Sequence, residues 1–71
     1  MAIEVAVQRL EIGDVVLVSP PQQDEEVEAT VVRDVERTDT TVRVTLRVEG
    51  RRDDFVREWP LGELVTIVRG P

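Results

Sequence analysis

The chain has 71 residues, of which 15 are acidic and 9 are basic, for a formal net charge of -6, and it contains no cysteine and no histidine. A chain of this length forms one small domain whose hydrophobic core is near the lower limit for independent folding. The absence of cysteine and histidine excludes a disulfide framework and a zinc finger or ribbon. We therefore expect residues 1–71 to form a single cytoplasmic domain with no cofactor and no structural metal.

The composition also argues against catalysis. All nine basic residues are arginine, so lysine is absent too, and Ser19 has no histidine to act as its base. Only carboxylates remain for acid–base chemistry, and the adjacent Asp53 and Asp54 would point to opposite faces of a strand. We expect a protein that is not an enzyme and has no catalytic residues. Arginine in place of lysine is typical of GC-rich bacterial coding sequences.

The charge balance and the hydropathy limit the partners. A net charge of -6 disfavours sequence-independent binding to nucleic acid or to an anionic membrane. No apolar run approaches the roughly 18 residues of a membrane-spanning helix. The first residues also lack a basic segment followed by an apolar one, so we expect neither a membrane anchor nor a secretory signal. A local arginine face remains compatible with the acidic total.

The first half of the chain has a period of two. Ile3, Val5 and Val7 alternate with polar or small residues and predict an extra N-terminal strand within residues 1–10. Val15–Val18 is apolar on both faces, which predicts a central strand. Ser19-Pro20-Pro21 ends it, because proline lacks the backbone donor that a strand ladder needs.

An acidic segment separates this strand from the next. Gln22 to Glu26 is polar throughout and predicts a solvated loop rather than a cation site, since it lacks the spacing and the glycine of a calcium-binding loop. Val27 to Val35 then resumes the alternation. Arg33 interrupts the apolar face of this segment, which predicts a bulge or a bent strand.

The clearest strand is Thr41 to Glu49, where Val42, Val44, Leu46 and Val48 face one way and polar residues face the other. Gly50 to Asp53 predicts a hairpin loop. The returning strand, Asp54 to Trp59, carries Phe55, Arg57 and Trp59 on one face. Pro60 to Glu63 predicts a single tight or 3₁₀ turn before the last strand, Leu64 to Arg69.

Five to six short strands without a helical stripe predict an all-β fold, a small antiparallel barrel. The pattern resembles the SH3-like barrels, the group that includes KOW and Tudor-type domains. Three segments carry the resemblance: Ile12 to Val18 as first strand, the bent strand from Val27 with its hairpin into Thr41 to Val48, and the short turn before the last strand. The chain lacks the aromatic cluster of proline-rich-peptide binders and the aromatic cage of methyl-lysine readers. An OB-like barrel is the alternative, although the loop from Gly50 to Asp53 leaves no room for the OB helix.

The candidate binding surface is an arginine face. Arg43 and Arg47 lie on the polar side of their strand, and Arg57 joins them or not depending on the strand register; Trp59 lies nearby. Arginine forks suit phosphates and carboxylates, and the indole supplies apolar area. The alternative is that the arginines form cross-strand ion pairs. The acids available for such pairs are Glu28, Asp34, Glu36, Glu49 and Glu58.

These observations lead us to expect a non-enzymatic protein–protein interaction or assembly module. The alternative is a KOW-like nucleic-acid or ribonucleoprotein accessory that uses the arginine face. The N-terminal strand adds a further option, because it either pairs within the chain or joins a second chain by strand addition, giving self-association.

Overall fold

The computed structural model describes residues 3–20 and 24–70. These residues form seven β-strands and one short 3₁₀ helix, and none of them is in an α-helix. The elements in chain order are β1 (Ile3–Ala6), the 3₁₀ helix (Val7–Arg9), β2 (Val15–Val18), β3 (Val27–Val31), β4 (Glu36–Arg37), β5 (Thr41–Val48), β6 (Phe55–Pro60) and β7 (Leu64–Arg69). The prediction of an all-β fold is confirmed.

All strand pairings are antiparallel, and the strands form one curled, barrel-like sheet. Its order is β1-β7-β2-β3-β5, with β4 and β6 also paired to β5. Leu46 of β5 lies opposite Val31 of β3 and also opposite Phe55 of β6. Therefore β3 and β6 occupy opposite edges of β5, and β6 and β1 are the two ends of the described sheet.

The concave face of the sheet carries the hydrophobic core. On β5, Val42, Val44 and Leu46 are fully buried, while Arg43 and Arg47 between them are exposed. This alternation confirms the predicted half-exposed strand. The predicted central strand is also confirmed, because β2 pairs with both β3 and β7. The other buried core residues are Val7, Leu10, Val16, Val18, Ala29, Val31 and Val65.

The strand predicted from Val27 to Val35 is shorter in the structure. It ends as β3 at Val31, and the chain pairs with β5 again only at Glu36. From Val31 to Glu36 the chain advances five residues, while β5 advances only three, from Leu46 back to Arg43. The surplus residues leave the ladder, so the predicted bulge is present at the place where Arg33 interrupts the apolar pattern.

The N-terminal strand pairs within the chain. β1 is hydrogen-bonded to β7, with Val5 opposite Val65, and it ends at Ala6, one residue before the predicted Val7. Val7 begins the 3₁₀ helix and donates its N–H to the Glu63 carbonyl at 2.8 Å. Strand β1 therefore extends the sheet on the far side of β7.

The tight turn expected before the last strand is present at Pro60 to Glu63. The Glu63 N–H donates to the Pro60 carbonyl at 3.1 Å, and Gly62 has φ 86°, which glycine adopts without steric cost. The turn carries the chain directly from β6 into β7. It thereby brings the inner faces of these two strands towards one another.

Candidate functional site

The strand register divides the predicted arginine face between two sides of the sheet. Val42 lies opposite Trp59 and Val44 lies opposite Arg57, so Arg57 and Trp59 share the inner face with the core valines. Arg43 lies opposite Glu58, and both project from the outer face. The structure thus brings Arg57 and Trp59 together and places Arg43 and Arg47 on the other side. Their roles in binding stay predictions.

On the outer face, Arg43 lies between two carboxylates. Its guanidinium is 3.5 Å from the Glu58 carboxylate on β6 and 3.9 Å from the Glu36 carboxylate on β4. The three side chains form a row across adjacent strands, which is the usual arrangement of cross-strand ion pairs. The alternative that the arginines form cross-strand ion pairs therefore holds for Arg43, with Glu36 and Glu58 as its partners.

Arg47 is held more tightly, by Asp54. Its Nε donates to one Asp54 oxygen at 2.7 Å, and its second guanidinium nitrogen donates to the other at 3.3 Å. These hydrogen bonds lower the pKa of the Asp54 carboxyl and raise the pKa of Arg47, and the charge attraction acts in the same direction. Sequence reasoning missed Asp54 as the partner. The length of the loop from Gly50 to Asp53 was the signal that could have found it, because this length decides which residue after the loop lies opposite Arg47.

Arg57 has a different environment. It is half-buried, whereas the other eight arginines are exposed, and it forms no ion pair with any carboxylate in the described part of the chain. Its guanidinium carbon lies 6.0 Å from the centroid of the Trp59 ring, within cation–π range. Trp59 itself is half-buried and packs against the core. The pair combines an available cation with an apolar surface.

Arg57 and Trp59 line a groove of about 170 Å³ between β6 and the strands β2 and β7. This volume is below the roughly 300–1,000 Å³ of small-molecule sites, so the groove fits a side chain better than a metabolite. Sequence reasoning did not find the opposite wall, because that wall depends on the curl of the sheet. The residues of that wall are Leu17, Val18, Ser19, Glu26, Leu64, Val65 and Thr66.

Two larger cavities are open depressions whose arginines are already bonded. One, of about 440 Å³, lies beside Ile12 and Val35, and its Arg37 donates to the Gln8 carbonyl at 3.0 Å. The other, of about 380 Å³, lies on the outer face between Arg47 and Arg69. Arg69 is 3.3 Å from the Glu28 carboxylate, and Arg47 is hydrogen-bonded to Asp54, the residue just before β6. Neither cavity presents an arginine without a partner.

The exposed acids do not form a metal site within residues 3–20 and 24–70, where no group of three or more metal-ligating side chains occurs. Of the predicted acidic loop, Asp24 to Glu26 are exposed, and Gln22 and Gln23 lie outside the described residues.

Over the same ranges, no helix is long and apolar enough to cross a membrane.

No family model, no curated protein and no solved structure matches this chain at a significant level.

Proposed function

We propose that this protein is a non-enzymatic protein–protein interaction module of the SH3-like type. The strand order β7-β2-β3-β5-β6, the bulged passage from β3 to β4 and the tight turn before β7 support the SH3-like assignment. Strand β1 would then be an addition to the five-stranded barrel. In this proposal the protein acts in the cytoplasm of a bacterium.

The observation that carries the proposal is the state of Arg57. Arg57 is half-buried, its guanidinium lies beside an indole at the wall of a groove, and it has no acidic partner among the described residues. Arginine and tryptophan are also the residues most enriched at the energetic centres of protein interfaces. A partner that supplies the missing counter-charge would bury both side chains with a net gain.

The nucleic-acid alternative has weaker support. It needs a contiguous basic surface, but the carboxylates beside Arg43 and Arg47 offset both charges on the outer face. Arg57 projects from the opposite side of the sheet, so the three arginines cannot contact one phosphate backbone together. The alternative requires the outer ion pairs to open at a cost in binding energy.

Self-association is a second form of the same proposal. The outer edge of β1 is unpaired within the described residues, and Ile3 on this strand is 54% exposed. A second chain could add to this edge and enlarge a small core. Sedimentation over a range of concentrations distinguishes self-association from binding to another protein. A chain that stays monomeric at all concentrations would leave only a different protein as the partner.

A selection from a random-peptide display library, with the full chain as bait, tests the interaction proposal directly. We expect enriched peptides whose binding shifts the amide resonances of β6, β7 and the end of β2. Random-sequence RNA and single-stranded DNA are measured in parallel. Absence of enriched peptides would refute the proposal, and nucleic-acid binding that weakens steeply with salt would then favour the alternative.

A further inference from the structure

The chemistry of the groove specifies more than a protein partner. Arg57 presents a planar donor fork that matches a carboxylate, and no carboxylate of the described residues occupies it. Ser19, Glu26 and Thr66 add polar groups to the wall beside Trp59, Leu64 and Val65, and polar atoms make up most of its surface. The size of the groove suits one carboxylate side chain.

Strand β6 also has a free edge beside this groove. Among the described strands it pairs only with β5, and residues Phe55 to Trp59 make no backbone hydrogen bonds to any other described segment. An extended peptide can therefore add to β6 and gain affinity from the backbone alone. Pro60, which lacks an N–H, limits the ladder at one end.

Pairing along the free edge of β6 fixes the spacing between the peptide residues that face Arg57 and Trp59. Arg57 and Trp59 are two residues apart and point to the same face of β6. Because side chains alternate along a strand, residues two apart in an added peptide lie opposite them. One peptide residue would face Arg57, and the residue two positions away would face the indole of Trp59.

Glu26 restricts the charge of the peptide. It is exposed and lines the same groove, and the whole chain carries a net charge of -6. A run of acidic residues would be repelled by both, whereas a single carboxylate in a neutral or basic segment would meet Arg57 without that penalty. The site therefore discriminates against polyacidic partners.

Resting on the proposed function, we infer that this groove recognises an extended segment of a partner protein in which one aspartate or glutamate and one apolar residue are separated by a single position. The carboxylate binds Arg57, the apolar side chain packs on Trp59, and the backbone pairs with β6. The direction of the added strand decides whether the acid precedes or follows the apolar residue.

The test uses the enriched peptides and the fluorescence of Trp59. The chain has one tryptophan and no tyrosine, so its emission reports directly on the groove. Each peptide is titrated in its native form, with its acid replaced by the amide (Glu to Gln or Asp to Asn), and with extra acids added. The proteins compared are the wild type, Arg57→Gln, Arg57→Lys and, as the matched control on the outer face, Arg43→Gln.

We expect amide replacement to weaken binding to the wild type by about 10- to 100-fold, the range of a charge-assisted hydrogen bond. Arg57→Gln should lose affinity by a similar factor and should no longer distinguish the acid peptide from the amide peptide. Arg57→Lys should retain part of the affinity. Arg43→Gln should bind the peptides as the wild type does. Dispersed amide spectra verify that each variant is folded. Glu26→Gln should improve the binding of the peptides with extra acids.

Four results would overturn the inference. Peptides that bind the groove equally well as acid and amide refute the carboxylate requirement and leave the proposed function standing. Equal losses in Arg43→Gln and Arg57→Gln place the site elsewhere. A selection that enriches no peptide refutes the inference and the proposed function together, and RNA or DNA that shifts the Trp59 emission would assign the groove to the nucleic-acid alternative.

Discussion

The inner-face position of Arg57 depends on the register of β5 and β6, and a pair of valine truncations tests it. Val44 lies directly opposite Arg57 and has no exposed surface, whereas Val56, the residue before Arg57, is 56% exposed. The substitutions Val44→Ala and Val56→Ala remove the same atoms from the two faces of the sheet. Their effects on the free energy of unfolding should therefore differ strongly.

The expected size follows from the burial. Removing two buried carbon atoms from Val44 costs about 1.6 kcal/mol at about 0.8 kcal/mol per methylene, and the residual cavity brings the loss to about 2–3 kcal/mol. A domain of this length has a total stability of about 4–10 kcal/mol. The melting temperature of Val44→Ala should therefore fall by about 10–20 °C, while Val56→Ala should lose less than about 1 kcal/mol.

Urea unfolding followed by circular dichroism measures both variants against the wild type. The dependence of the unfolding free energy on urea should be unchanged, so that the midpoint alone reports stability. Equal losses, or a larger loss in Val56→Ala, would mean that the two faces of β6 are exchanged. Arg57 would then lie on the outer face and could not line the groove, which would refute the proposed binding site.

Three further predictions concern local structure, each measured by urea unfolding. Asp14 is 5% exposed, and its carboxylate accepts the Glu11 N–H at 2.9 Å. Asp14→Ala should therefore lower the free energy of unfolding by about 1–2 kcal/mol. Asp14→Asn keeps an acceptor and should lower it by less. Asp54→Asn should be less stable than the wild type at neutral pH. Folding lowers the pKa of Asp54, so its charged carboxylate stabilises the folded state at pH values above the ordinary carboxyl pKa of about 3.9. This stabilisation is lost as the pH falls through the pKa of the folded state. The deficit of Asp54→Asn should therefore vanish in acid. Gly62→Ala should cost about 1–2 kcal/mol, since φ is 86°.

Each of these has a matched control or a refuting result. Gly70→Ala places a Cβ 3.9 Å from the nearest atom, an ordinary contact, and should change stability by less than about 0.5 kcal/mol. Equal losses in Asp14→Ala and Asp14→Asn would show that the acceptor is not what stabilises the turn. A deficit of Asp54→Asn that persists unchanged in strong acid would show that the ion pair with Arg47 is not its cause.

Local patterning predicted the strands because it reflects burial residue by residue. The alternation of Val42, Val44 and Leu46 is typical of a strand with one buried face, and the run Val15–Val18 is typical of a buried strand, which here pairs on both edges. The early end of β3 was harder to predict. Val35 continues the apolar pattern beyond Val31 and packs on the core, yet the surplus residues of the bulge take it out of the ladder.

The site was predictable only in part, because a period of two assigns residues to a common face without saying which face it is. It correctly grouped Phe55, Arg57 and Trp59, and it grouped Arg43 with Arg47. Whether the two groups coincide depends on the register across the hairpin, which the loop from Gly50 determines. The opposite wall of the groove lies more than 30 residues away in sequence at Leu17 to Ser19, so no local signal could reveal it.

The acidic excess and the arginine site are therefore compatible, because the sheet separates the two kinds of charge. On the outer face, carboxylates lie within ion-pair distance of Arg43, Arg47 and Arg69, and these arginines add little to the attraction of an anion. On the inner face Arg57 lies opposite a core valine of β5, and no carboxylate of the described residues lies within ion-pair distance of it. Its guanidinium lies beside the indole of Trp59 instead. Under the proposed function, the net charge of the chain would act on which partners approach, and Arg57 would act on which residue of the partner is recognised.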